Sequence, residues 1–165
     1  MKKEEQKTQA DIREMVKDIR FAMLCTNTQK GHIHSRPMGT QGMDNEGNIW
    51  FLTAKDSQKL AEIKANANVC VCYAAPSDNT YVCIMGEAEE VDDQRKIDKY
   101  WNPMAKVWFP EGKDDPNLTL IKVIPHEAEY WDSDSNRVVA GIKMLTTLLM
   151  GKEYAEEGAY GTVKF

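Results

Sequence analysis

The spacing of apolar residues changes period near position 20. Ile12, Met15, Val16 and Ile19 recur at helical spacing, so a helix opens the chain. From Phe21 the period becomes two, which predicts strands over 21–26 and 32–40 around the turn Asn27-Thr28-Gln29-Lys30-Gly31. Pro37 marks the second of these as an edge or bulged strand. Asp44-Asn45-Glu46-Gly47 turns the chain into a third strand over 48–53, centred on Trp50-Phe51-Leu52. A short helix is predicted over 56–67, capped by Asp56 or Ser57, with Leu60 and Ile63 facing inward. Strands follow over 68–74 and 80–91, separated by Pro76-Ser77-Asp78-Asn79, with Gly86 as a bulge in the longer one. Asp92 or Asp93 caps a polar helix running toward Tyr100-Trp101. A helical turn over 104–109 ends at Pro110 and a loop spans 111–117. The last long strand covers 118–131, broken by Pro125, and an apolar helix over 138–150 closes the fold.

The strands arrive as hairpins rather than as strand–helix–strand units. That order predicts an α+β, mainly β fold, an antiparallel sheet or barrel with helices packed outside, and argues against a doubly wound parallel sheet. Six alternating strands suffice for a small closed barrel. The length of 165 residues, 42% hydrophobic and 28% charged, fits one globular domain spanning 1–165 with a core over about 12–150. The balance of 21 basic and 26 acidic side chains leaves a net charge of −5 with no long basic run, which argues against a sequence-independent grip on nucleic acid. The first seven residues carry charge with no apolar stretch behind them, so no signal peptide is expected. The apolar window at 138–150 is too short for a membrane span of roughly 20 residues. Cys25, Cys70, Cys72 and Cys83 all lie in apolar strand-like runs and read as reduced core residues of a cytoplasmic protein.

Candidate chemistry is sparse. No Gly-x-Ser-x-Gly elbow is present, and none of the three histidines, His32, His34 and His126, stands in a nucleophile signature. His32 with His34, and Cys70 with Cys72, are each spaced to share a strand face and could together make a zinc set. The usual Cys-x-x-Cys spacing is missing, so core packing is preferred for the cysteines and no metal is expected. No glycine-rich phosphate loop exists. A helix start can hold phosphate instead, and Thr53-Ala54-Lys55-Asp56-Ser57-Gln58-Lys59 brings a strand end, a hydroxyl and two lysines to one. Asp56 counts against that unless it turns away. Arg36 could supply the other half of such a site, since alternation puts Arg36 and Met38 on one face and Ser35 and Pro37 on the other. Trp50, Phe51 and Met38 could wall a flat apolar ligand. The dense aromatic run from Tyr100 to Phe109 reads as an interface or a pocket lid.

Three segments in order, His34-Ser35-Arg36-Pro37-Met38, Ile49-Trp50-Phe51-Leu52-Thr53 and Ser57-Gln58-Lys59, together resemble the FMN-binding split barrels of the pyridoxamine 5′-phosphate oxidase-like family. Tyr100-Trp101-Asn102-Pro103-Met104, Trp108-Phe109-Pro110-Glu111-Gly112, Asp114-Asp115-Pro116 and Glu127-Ala128-Glu129-Tyr130-Trp131-Asp132 resemble its general stress protein 26 branch. The resemblance, running from about residue 12 to 150, implies a six-stranded antiparallel split β-barrel with flanking helices. It further implies a homodimer with FMN at the subunit interface. Carried over by position, Arg36, Ser57 and Lys59 would hold the phosphate and ribityl chain. Pro37, Met38, Trp50, Phe51, Leu52 and Thr53 would line the isoalloxazine. Tyr81 would contact the flavin, and Trp131 would reach it from the partner subunit.

One departure stands out. Family members that oxidise pyridoxamine phosphate carry Arg-x-His-x-Arg after that tryptophan, where this chain has Arg137-Val138-Val139-Ala140-Gly141. The expected function is therefore an FMN-dependent oxidoreductase acting on another small molecule. The alternatives are a non-catalytic flavin binder or redox sensor, or a related barrel holding haem or a deazaflavin.

Overall fold

The computed structural model describes residues 7–133 and 158–165. Its strands are β1 (Phe21–Asn27), β2 (Ile33–Met43), β3 (Ile49–Ala54), β4 (Asn68–Ala75), β5 (Thr80–Val91), β6 (Leu118–Ser133) and β7 (Gly158–Lys164). The helices are α1 (Gln9–Val16), α2 (Gln58–Ala65) and α3 (Gln94–Tyr100). The sheet runs β3-β2-β1-β4-β5-β6, and β3 also pairs with β6, which closes a six-stranded antiparallel barrel. The expected barrel is therefore present. The seventh strand was not expected. β6 runs on past the end of its pairing with β3, and β7 pairs with the remainder from Glu127 to Ser133. Two glycines and no apolar alternation hide β7 in the sequence. One of them is required, because a Cβ on Gly161 would lie 2.4 Å from the Tyr130 hydroxyl. The helix expected over 138–150 falls outside the described residues, as does the run from Arg137 to Gly141.

The barrel interior holds one core, including Ala22, Leu24, Phe51, Val71, Ile84 and Ile121. Burying each such side chain stabilises the fold by about 1.5–3 kcal/mol for the larger ones. α1 and α2 meet opposite ends of the barrel. α1 opens with a capping box between Thr8 and Asp11 and buries Ile12 and Val16, and its Arg13 donates to the Asp44 carbonyl in the β2–β3 turn. α2 lies by the far end of β1 and buries Leu60 and Ile63. A smaller core outside the barrel joins Trp50, Leu118 and Leu120 to α3 and the following 3₁₀ turn through Ile97, Tyr100, Ala105 and Phe109. β3 is thus buried on both faces, which explains its unbroken apolar run. Gly86 sits at the expected bulge, where a Cβ would meet the Ile124 carbonyl oxygen at 2.1 Å.

Two features of the barrel wall matter for function. The first is a gap. β2 pairs with β3 only from Thr40 to Met43, so the ladder between them stops at Thr40 and Phe51 and the wall is split beyond that point. The second is the outer face of β1, β4, β5 and β6. Phe21, Met23, Tyr81 and Trp131 there are 56%, 40%, 40% and 40% exposed. The four cysteines share that face and are half-buried, which corrects their expected place in the core. Both parities of β4 are apolar, and the bulkier Val69, Val71 and Tyr73 take the inside.

Candidate flavin-phosphate site

The split ends over α2, and polar side chains converge there on the inner face. Thr26 and His34 are cross-strand partners, as are Leu24 and Arg36, so all four point the same way. Glu62, one turn into α2, is only 6% exposed and joins them. Its carboxylate accepts hydrogen bonds from Thr26 Oγ1 at 2.6 Å, Arg36 Nη2 at 2.7 Å and Gln58 Nε2 at 2.9 Å, and lies 3.2 Å from His34 Nδ1. Arg36 Nη1 donates in turn to Thr26 Oγ1 at 2.6 Å. Burial pushes the Glu62 carboxyl up, but the bonds from Thr26, His34 and Arg36 and the Arg36 charge outweigh it and hold it at about 2. The guanidinium is therefore fixed in place beside the helix start.

Lys59 stands next to it. Its Nζ donates to Thr53 Oγ1 at 3.3 Å, and Thr53 Oγ1 lies 3.2 Å from Ser57 Oγ. Burial lowers the Lys59 ammonium below its usual range, and repulsion from Arg36 lowers it further against the pull of Glu62. Ser57 occupies the N-cap without making a side-chain capping bond, so its hydroxyl is not spent on the helix. Two cations, two hydroxyls and a helix start thus surround a point that carries one carboxylate, already shared. An anion relieves this imbalance, and a phosphate fits the donor set. Asp56 does not intrude, since it accepts from Asn117 Nδ2 at 2.9 Å. Lys55 pairs with Asp92 at 2.7 Å and takes no part.

Lys59, Thr53 and Ser57 are thus joined by hydrogen bonds, and Arg36, held by Glu62 of the same helix, lies close enough to repel Lys59. Met38 lies on the same face as Arg36 and packs on the barrel core, while Pro37 faces outward across from Met23. Trp50 and Phe51 put their side chains into the two cores. Trp50 stacks on Tyr100 at 4.8 Å and donates from Nε1 to Asp44 at 3.0 Å, so this part of β3 faces the split with backbone and the half-buried Leu52. Tyr81 and Trp131 pair directly with each other on the outer face, and Trp131 packs on Tyr160 at 5.4 Å. A cavity of about 600 Å³, lined by Met15, Ile19, Phe21 and Pro76 among others, includes none of the predicted cofactor residues.

Glu62 was missed by sequence reading. Its only signals are its place beside Ile63 on the inward side of α2 and its spacing of four from Gln58. His32 and His34 do not share a strand face as expected. β2 begins at Ile33, so His32 belongs to the turn, where its amide bonds Thr28.

Comparison with known proteins matches residues 7–155 to the family model described as pyridoxamine 5′-phosphate oxidase like. The chain belongs to the pyridoxamine 5′-phosphate oxidase-like family. General stress protein 26 of Bacillus subtilis (strain 168) is 32% identical over 140 residues, covering 80% of this chain and 96% of that protein. Among solved members of the general stress group, general stress protein 26 from Bacillus anthracis str. Sterne superposes with a TM-score of 0.68 at 27% identity, over 74% of this chain and 92% of that one. The general stress FMN/FAD binding protein of Xanthomonas citri superposes with a TM-score of 0.66 at 29% identity, over 76% and 89%. Among its described residues this pyridoxamine 5′-phosphate oxidase-like chain has no helix long and apolar enough to cross a membrane.

Proposed function

We propose that this chain is a homodimeric, cytoplasmic FMN protein of the general stress type, an oxidoreductase acting on a small molecule. The observation that carries this reading is the gathering of Lys59, Thr53 and Ser57 at the start of α2 beside Arg36, which Glu62 of the same helix holds; two half-buried cations share one carboxylate there, and the arrangement calls for an anion. A flavin phosphate on Arg36, Ser57 and Lys59 answers that demand, and the flavin ring would then run along the split past Met38 and Leu52. Bound there, flavin would supply reversible electron and hydride transfer, and the protein would supply binding, orientation and shielding from water. The general stress FMN/FAD binding protein of X. citri supports flavin as the ligand class.

A second copy is the natural cover for the apolar outer face of β1, β4, β5 and β6, because Tyr81 and Trp131 lie on that face while the phosphate cluster lies inside the barrel end. The same face would carry those two side chains to the partner's flavin. Val139 and Gly141 replace the His and second Arg of pyridoxamine phosphate oxidases, so the substrate is a different small molecule. Four free, half-buried thiols suit a reducing compartment.

The test is an absorption spectrum of fresh protein, an FMN titration followed by fluorescence quenching, and a turnover screen with NADH and NADPH. A flavin spectrum or saturable quenching at one FMN per chain, with turnover, is expected. Colourless protein that fails to quench FMN would refute the cofactor. Flavin without turnover on any donor would leave a binding protein.

A further inference from the structure

The outer face carries a cluster that the flavin reading does not use. Cys70 and Cys72 are two apart on β4 and share a face, and the register sets Cys83 of β5 directly across from Cys72. Their sulfurs lie 3.5 Å apart between Cys70 and Cys72 and 3.3 Å apart between Cys72 and Cys83. All three fall within 4.8 Å of one another. Three sulfurs bound to one ion at about 2.3 Å sit roughly 3.8–4.0 Å apart, whether the geometry is tetrahedral or trigonal. Two of the present spacings fall a few tenths of an ångström short of that range and the third is no more than 4.8 Å, so small side-chain rotations would complete the site without moving the strands. Cys25, across from Cys70 on β1, is engaged separately with Ser35 at 3.4 Å.

We propose that Cys70, Cys72 and Cys83 form a three-sulfur site for copper(I). The ligand set is soft throughout, which selects copper(I) among biological metals, and it stops at three, whereas closed zinc sites take four ligands. Glu129, the cross-strand partner of Cys83, carries a carboxylate, but its oxygen is a hard donor. The thiols ionise as the cation enters. In the binding step copper–sulfur bonds replace S–H bonds. Each thiol that ionises gives one proton to water, and copper stays in the +1 state.

The site lies on the face given above to a second copy, so copper could enter before the copies close. The experiment uses reduced, oxygen-free protein, both as purified and after refolding with the metal present. The probe is copper(I) as its coloured bicinchoninate complex, whose bleaching reports withdrawal of the ion. Wild type is expected to withdraw one copper(I) per chain. Cys72→Ser is expected to lower affinity at least a hundredfold, and Cys25→Ser to leave it unchanged. Should Cys72→Ser fail to fold by circular dichroism, Cys83→Ser serves in its place. No withdrawal under either loading condition, equal loss in Cys25→Ser, or stoichiometric zinc binding without copper binding would overturn the proposal. Flavin takes no part in the readout, so this result and the flavin titration fail independently.

Discussion

Glu62→Gln is the sharpest probe of how the site is built. The substitution keeps shape and one acceptor oxygen but removes the charge that Arg36, Thr26, Gln58 and His34 converge on. The wild-type carboxyl is held at about 2 in the folded protein, against an ordinary value of 4.5. A depression of that size corresponds to about 3 kcal/mol of stability from ionised Glu62. The folded value is lowered, so this stability is fully present above the unfolded value of 4.5 and disappears as pH falls toward 2. Burial of the pair makes the effect large, since leaving Arg36 without its carboxylate is expected to cost about 3–5 kcal/mol in a fully buried setting. Arg36 is 14% exposed, and water reaching it moderates that figure. Urea unfolding at pH 7 should therefore show Glu62→Gln less stable than wild type by about 3 kcal/mol, and the gap should shrink to about 1 kcal/mol at pH 3. Saturating FMN should narrow the gap at pH 7, because a phosphate gives Arg36 a new counter-charge. A gap below about 0.5 kcal/mol at pH 7, or one that does not change with pH, would refute the reasoning.

Further outcomes follow from the same structure. Lys59→Met should leave the flavin-free protein as stable or slightly more stable, because burial and Arg36 disfavour the ammonium. It should weaken FMN binding by about 1.5–3 kcal/mol, or about ten- to a hundredfold in Kd by fluorescence titration. Met23→Glu, on the outer apolar face, should convert a dimer to a monomer by light scattering while the isolated barrel stays folded. Gly86→Ala drives a Cβ against the Ile124 carbonyl, where backbone rather than a flexible side chain must yield, and should destabilise the chain by more than about 3 kcal/mol in thermal or urea unfolding.

Most of the barrel was legible in the chain because its strand-length apolar runs are separated by turns rich in Asn, Asp, Gly and Pro. The grouping of Arg36 with Ser57 and Lys59 came from the family resemblance, since parity fixed only that Arg36 and Met38 share a face and the strand-to-helix junction alone reads as an ordinary capped helix. Glu62 was not legible, because a carboxylate on a short surface helix looks solvated until the barrel end closes over it. The cysteines misled for a different reason. Where both faces of a strand are apolar, parity alone does not say which face is inside, and bulk decided it in favour of Val69, Val71 and Tyr73. Trp50 shows the same ambiguity in β3, where a second small core claims the ring that sequence reading gave to a ligand wall. β7 depends on the unpaired length of β6, a property of the assembled sheet that no local pattern reveals.

The central claim is that Arg36, Ser57 and Lys59 hold a flavin through its phosphate. Titrating the wild-type chain with FMN and, in parallel, with riboflavin tests this directly, since the two differ only in that group. The account predicts saturable quenching at one FMN per chain and riboflavin binding weaker by about a hundredfold or more, the loss of two charge-assisted contacts. Equal affinity for the two flavins, or no binding of either, would contradict it.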